Sequence, residues 1–206
     1  MEKPVCVKCP RLCAFIEENK KKFPSFYNAP VPSFGDKNAE LLIVGLAPGL
    51  KGANQTGRPF TKDYAGDLLY PTLIKYGWAK GVYLAEPDDG LILQKAMITN
   101  AVRCVPPQNK VLPAEIKTCN FYLQEQISKL PHLRFIIALG TVAHGAVLTA
   151  FGLKKSTFAF AHGSCHLLPN EMILIDSYHC SRYNTNTGVL TKEMFEAVFE
   201  KIKLFQ

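Results

Sequence analysis

The sequence predicts an α/β fold, three layers α/β/α around a central four-stranded, mainly parallel sheet, in a single domain over residues 1–206. Three observations predict it. Short apolar runs without polar alternation recur along the chain, as in strands buried on both faces. Segments with apolar residues at three- and four-residue steps lie between them. Strand and helix therefore alternate, which favours a parallel sheet with helical crossovers. With 48% hydrophobic residues, the 206-residue chain can bury one sizeable core and is not disordered.

The elements follow in order. "ELLIVGL" (Glu40–Leu46) is the first strand, ended by Pro and Gly. "YAGDLLYPTLIKYG" (Tyr64–Gly77) predicts a helix with Leu69, Leu73 and Tyr76 on one face, shortened or kinked at Pro71. "KAMITNAV" (Lys95–Val102) is the second strand. Pro113 opens the next helix, whose apolar face runs Ile116, Cys119, Leu123, Ile127, Leu130. "RFIIALG" (Arg134–Gly140) is the third strand, and Thr141 caps a helix that Gly152 stops. "TFAFAHGSCHLLP" (Thr157–Pro169) reads as a hairpin around His162-Gly163, and "EMILIDS" (Glu171–Ser177) as the fourth strand. Thr191 caps a last helix with Met194, Val198 and Ile202 apolar. The Pro-rich "KFPSFYNAPVPSFG" (Lys22–Gly35) is expected to wrap the surface, and an N-terminal arm carries cysteines.

Lys and Arg number 24 against 17 Asp and Glu, a net charge of +7 that favours anionic partners, nucleic acid foremost. No apolar run approaches the roughly 18 residues of a membrane span. "MEKPVCVKCPRLC" puts charges and cysteines where a signal peptide is apolar, so the expectation is a cytoplasmic protein without membrane partners. Seven cysteines, an odd number in a reducing compartment, argue for metal ligation over a disulfide framework. Cys6 and Cys9 form a Cys-x-x-Cys pair, Cys104 follows the second strand, and Cys119 lies on the inward face of the next helix. With no second Cys-x-x-Cys, this four-thiolate set suits an iron–sulfur cluster better than a zinc ribbon. Cys13 competes with Cys9 as a ligand, and Cys165 and Cys180 read as ordinary small residues.

Ligands of open α/β sheets bind outside the carboxyl ends of the strands. Those ends carry "GLAPGLKGANQTGRPFTKDYAGD" (Gly45–Asp67), Thr99-Asn100, Gly140-Thr141 and "SYHCSRYNTNTG" (Ser177–Gly188). Asn54, Asp63, Asn100, His179 and Asn184 gather there. The glycine-rich loop fits neither nucleotide-phosphate signature.

"CVKCPRL", "GLAPGLKGANQTGRPFTKDYAGD", "ITNAVRCVPPQNKVLPAEIKTC", "IIALGTVAH" and "DSYHCSRYNTNTGVLT" occur in this order over nearly the whole chain. Together they resemble the uracil-DNA glycosylase superfamily, in particular its iron–sulfur family 5, or type-b, branch. The resemblance implies a four-stranded parallel sheet between helices and a [4Fe–4S] cluster on Cys6, Cys9, Cys104 and Cys119. It implies excision of uracil, and of other deaminated or modified bases, from DNA by a monofunctional glycosylase. Family 4 carries Glu in a "GEAPG" motif; Leu46 stands there in this chain, as in family 5. Lys62 replaces a frequent Gly, and Cys180 a frequent Pro.

Under this resemblance the loop receives a base flipped out of the duplex. Phe60 stacks on it, Asn100 reads its edge, and the backbone of Gly45, Ala47 and Gly49 approaches it closely. His179 donates a hydrogen bond to the departing uracil anion. Asp63 positions water or stabilises the cationic sugar, with Asp67 as the rival carboxylate, and Asn54 helps orient water or substrate. Arg182, Tyr183 and Asn184 touch the duplex, while Lys51, Arg58 and Lys62 neutralise phosphates. Each residue has an ordinary alternative: a core Phe, a turn-capping Asn or Asp, a solvated cation. The cluster is expected to act as a staple, and the protein to be a monomer. The rival readings are a non-catalytic iron–sulfur nucleic-acid-binding protein of the same fold and an iron–sulfur redox protein.

Overall fold

In a computed structural model, which describes residues 3–205, the elements run as follows. Helix α1 (Pro10–Lys22) precedes strands β1 (Phe34–Gly35) and β2 (Leu41–Gly45). Helices α2 (Ala53–Thr56) and α3 (Gly66–Lys75) lead to β3 (Ala79–Lys80), β4 (Ile92–Leu93) and β5 (Ala96–Asn100). Then come α4 (Pro113–Ser128), β6 (Phe135–Leu139), α5 (Thr141–Ala150), β7 (Cys165–Leu167) and β8 (Ile173–Ser177). Helices α6 (Arg182–Asn186) and α7 (Lys192–Glu200) close the chain.

The main sheet has the order β1-β5-β2-β6-β8-β7. Its four central strands are the four apolar runs, mutually parallel and buried at every position. The sheet has six strands rather than four because β1 and β7 add antiparallel edges two and three residues long. Such fragments are too short to carry a period-two pattern. The expected Thr157–Pro169 hairpin is likewise absent: β7 pairs with β8, and Lys155–Thr157 is a 3₁₀ turn.

Alternate residues of each strand feed opposite faces. Leu41, Ile43, Ile98, Ile137 and Ile175 pack with Leu69 and Leu73 of α3 and Phe195 and Phe199 of α7. Leu42, Val44, Ile136, Ala138 and Leu174 pack on the other side with Leu123 of α4 and Val147 and Leu148 of α5. The result is the expected three layers.

Local signals act largely as anticipated. The Thr191 hydroxyl accepts the Met194 N–H at 3.2 Å. Pro71 lies inside α3, which is ten residues long. Thr141, expected as a cap, is the first helical residue of α5, and Gly140 at φ 95° makes the turn that precedes it. The arm holds α1, which begins at Pro10, ends in Lys20–Lys22 and buries Leu12 and Ile16. The Pro-rich segment is pinned as well as wrapped: Asn28 Nδ2 donates to Phe23 O at 2.7 Å, and Val31 N–H to Arg103 O at 2.7 Å. Among the described residues, no helix is long and apolar enough to cross a membrane.

One polar side-chain cluster sits deep on the α4/α5 side of the sheet. Asp176 of β8 is fully buried, with Oδ1 2.7 Å from His144 Nδ1 of α5 and Oδ2 3.0 Å from His166 Nε2 of β7. His144 Nε2 lies 3.0 Å from the Phe158 carbonyl. Asp176 therefore fastens a helix and an edge strand to β8. Removing one partner of a buried pair strands the others. Asp176→Ala, which leaves two enclosed imidazole nitrogens without their acceptor, is expected to cost about 1–3 kcal/mol for each in denaturant unfolding.

Candidate active site and cysteine cluster

The carboxyl ends of the parallel strands open into one cleft of about 460 Å³. Leu46, Ala47, Pro48 and Gly49 line it, together with Phe60, Asp63, Asn100 and His179. Four separate chain segments thus bring together most of the expected base-handling residues.

Glycines make that convergence possible. Gly45 ends β2 in register with Asn100 of β5. A Cβ on Gly45 would run into the Asn100 carboxamide and the Phe60 ring. Cβ atoms on Gly49 or Gly52 would collide with the Asp63 carboxylate. The loop is glycine-rich because a carboxylate and an aromatic ring occupy the space where side chains would be.

Asp63 Oδ2 accepts the Ala53 N–H at 3.1 Å. Burial raises its pKa above the ordinary carboxylate value, and the Ala53 and Gly49 N–H groups partly oppose that rise. Phe60 is buried and holds φ +56°, a left-handed conformation that strains a bulky residue. Two tyrosines brace it: Tyr83 Oη donates to Phe60 O at 3.1 Å, and Tyr70 Oη to Pro59 O at 2.6 Å. The Phe60 and His179 rings lie 6.2 Å apart between centroids.

His179 follows β8 by two residues and is half-buried. Burial lowers its pKa, so the imidazole is neutral at physiological pH. Its Nδ1 is enclosed without a protein partner. Asn184 Nδ2 donates to the His179 carbonyl at 2.8 Å. Asn184, expected at the duplex, supports the backbone of His179 through this bond.

Arg58 also departs from expectation. It is 4% exposed, and both terminal nitrogens are bound by Asp89, at 2.7 and 2.8 Å. The guanidinium lies over the Phe34 and Tyr70 rings and holds the Asp89 carboxyl down at about 2. A cation enclosed in this way cannot meet a phosphate; it braces the loop from beneath. Asn54 is fully buried, and its Nδ2 donates to Asn28 Oδ1 at 2.9 Å. It fastens α2 to the Pro-rich segment and is not among the residues that line the cleft, while its Oδ1 is enclosed without a protein partner. Lys51 and Lys62 are exposed, Lys62 pairing with Glu86 at 2.7 Å. Asp67, the rival carboxylate, is exposed in the first turn of α3.

Arg182 and Tyr183 open α6 at the rim. Arg182 lies 5.1 Å from the Tyr64 ring centre, and Tyr183 is 73% exposed. Tyr64, Pro106, Asn109 and Ser181 also line the cleft and were not anticipated. The Pro-Pro-Gln-Asn run after β5 was the available signal for two of them.

A second cavity gathers cysteines. Cys6, Cys9, Cys13, Cys104 and Cys119 all face it, with Tyr122 beside them. Cys9 is the residue just before α1, while Cys104 and Cys119 are buried. The Cys119 sulfur accepts the Arg103 N–H at 3.4 Å. Arg11 of α1 binds Glu115 of α4 through two contacts of 2.7 Å, tying the arm to the helix that carries Cys119. Burial, reinforced by neighbouring thiols, pushes Cys104 up to about 12. Burial raises Cys9 and Cys119 in the same direction. Five sulfurs converging on one cavity make an all-thiol donor set, which suits an iron–sulfur cluster. Cys165 and Cys180 lie outside it.

The sequence profile of the Uracil DNA glycosylase superfamily matches residues 32–203. A type-5 uracil-DNA glycosylase of Thermus thermophilus is 44% identical over 203 residues, 96% of this chain and 92% of that protein. A type-5 uracil-DNA glycosylase of Pyrobaculum aerophilum is 36% identical, over 95% of this chain and 87% of its own length. A type-4 uracil-DNA glycosylase of the same organism is 33% identical, over 83% and 78%. With these matches spanning both the cleft and the cysteine cavity, the chain belongs to the uracil-DNA glycosylase superfamily, in its type-5 branch.

Proposed function

We propose that this chain excises uracil from DNA by hydrolysing the N-glycosidic bond, leaving an abasic site. The observation that carries the reading is one cleft in which the Asp63 carboxylate and the neutral His179 imidazole stand beside Phe60 and Asn100. A base in a duplex is out of reach, so the nucleotide is extruded into the cleft. The Asn100 carboxamide, a donor and an acceptor at a strand end, reads the uracil edge while Phe60 offers its ring. Bond breaking leaves negative charge on the base and positive character on the sugar. His179 donates a hydrogen bond to the base; Asp63 faces the sugar and the attacking water. Leu46 supplies no acid, so the carboxylate function falls to Asp63. Other deaminated or modified bases enter the same site.

Arg182 and Tyr183, exposed at the rim, contact the duplex, with Lys51 and Lys62 near its phosphates. Cys6, Cys9, Cys104 and Cys119 would hold a [4Fe–4S] cluster. When bound, it would supply cross-linking between α1, the loop after β5 and α4, and no glycosidic chemistry. Cys104→Ser is expected to lose iron, brown colour and thermal stability together. Colourless protein of unchanged melting temperature and activity would refute the staple. The protein acts as a cytoplasmic monomer on the nucleoid.

The function is tested by incubating brown protein with a duplex carrying one uracil, followed by alkaline cleavage. A break at the uracil is the expected result. Intact DNA, for uracil and for a panel of other damaged bases, with DNA binding retained would favour a non-catalytic binding protein.

A further inference from the structure

Five cysteines face the second cavity, whereas a [4Fe–4S] cluster takes four thiolates. Their anchoring is unequal. Cys104 and Cys119 are packed with Leu12, Ile16, Val102 and Val105, and Cys9 is held at the start of α1. Cys6 lies outside any helix or strand, between Val5 at 89% and Val7 at 78% exposure. Its sulfur is 3.5 Å from the Tyr122 hydroxyl. Cys13 stands one helical turn beyond Cys9, its N–H bonded to Cys9 O at 2.9 Å. Residues four apart share a helix face, so Cys9 and Cys13 point to the cavity together. The Cys13 thiol donates to the Cys6 carbonyl at 3.2 Å. Spacing alone set Cys13 against Cys9; the geometry sets it against Cys6.

We propose that Cys6 and Cys13 are interchangeable ligands for one corner of the cluster, with Cys9, Cys104 and Cys119 fixed at the other three. The inference rests on the cluster reading above. The exchange balances without oxidant or reductant: one iron–thiolate bond breaks and one forms, and the proton lost by the incoming thiol is gained by the departing thiolate. Its consequence is a cluster that survives loss or oxidation of the cysteine on the least supported segment.

The test compares anaerobically purified wild type, Cys6→Ser, Cys13→Ser, Cys6→Ser/Cys13→Ser and Cys104→Ser by iron content, visible absorption and thermal unfolding. Both single variants at positions 6 and 13 should keep iron and colour, while the double variant and Cys104→Ser lose them. Iron loss in either single variant, or iron retained in the double, overturns the exchange. A wild type without iron would instead overturn the cluster reading itself. A second measurement needs no variant. Alkylation of the native iron-loaded protein with iodoacetamide, read by mass spectrometry of the intact 1–20 peptide region, should modify Cys6 or Cys13 in a given molecule. Molecules modified at both while retaining iron would refute the proposal.

Discussion

Asp63→Asn is expected to lower single-turnover excision of uracil by roughly 10²–10⁴-fold, the range for a positioned acid–base group. The substitution keeps the shape of the side chain and an oxygen for the Ala53 N–H, so the loop has no steric reason to move. It also removes a charge that burial disfavours while giving up one of the two backbone N–H contacts, so thermal stability should change little. Loss of rate without loss of fold is therefore the signature. The pH profile gives a second check. Burial raises the Asp63 pKa above its ordinary value of 3.8, so the reactive carboxylate is lost earlier on acidification than an exposed one would be. Activity should fall as pH drops through that raised value, and the fall should vanish from the residual rate of Asp63→Asn. A variant with full rate, or an acid limb unchanged by the substitution, would remove Asp63 from the mechanism.

The parts of this fold legible in the sequence were those with one strong cause. The runs of β2, β5, β6 and β8 are apolar at nearly every position because both sheet faces are covered, and no competing pattern fits them. The edge strands are two and three residues long and held by their neighbours, so their own sequence says little. Helix α1 is marked by Pro10, Leu12, Ile16 and its terminal lysines, a pattern overlaid by the cysteine motif at its start.

At the cleft, Phe60, Asp63, Asn100 and His179 line one cavity, whereas Arg58 and Asn54 bond to partners distant in sequence. Arg58 looks like a phosphate-binding cation until Asp89, 31 residues away, closes on it. Asn54 looks like a water-orienting amide until Asn28, 26 residues away, takes its donor. Side-chain pairing across such separations depends on the closed fold and leaves no local spacing to read. The glycines behaved in the opposite way. Gly45, Gly49 and Gly52 were visible at once, yet the reason for them, the bulk of Asn100, Phe60 and Asp63, is tertiary.

His179→Ala carries the other large effect, a loss of about 10²–10³-fold, as for removal of one preorganised donor to a developing anion. The imidazole is suited to that task because burial lowers its pKa and keeps it neutral, so it donates an N–H without placing a cation beside the sugar. Truncation alone would not separate this role from a packing role against Phe60, whose ring centre is 6.2 Å away. The leaving group does separate them. 5-Fluorouracil carries its departing charge more easily than uracil and needs less help from a donor. The defect of His179→Ala should therefore shrink on a duplex containing 5-fluorouracil, while the defect of Asp63→Asn, which acts on sugar and water, should stay nearly constant. Equal losses on the two bases would assign His179 to shaping the cleft and leave stabilisation of the uracil anion to another donor.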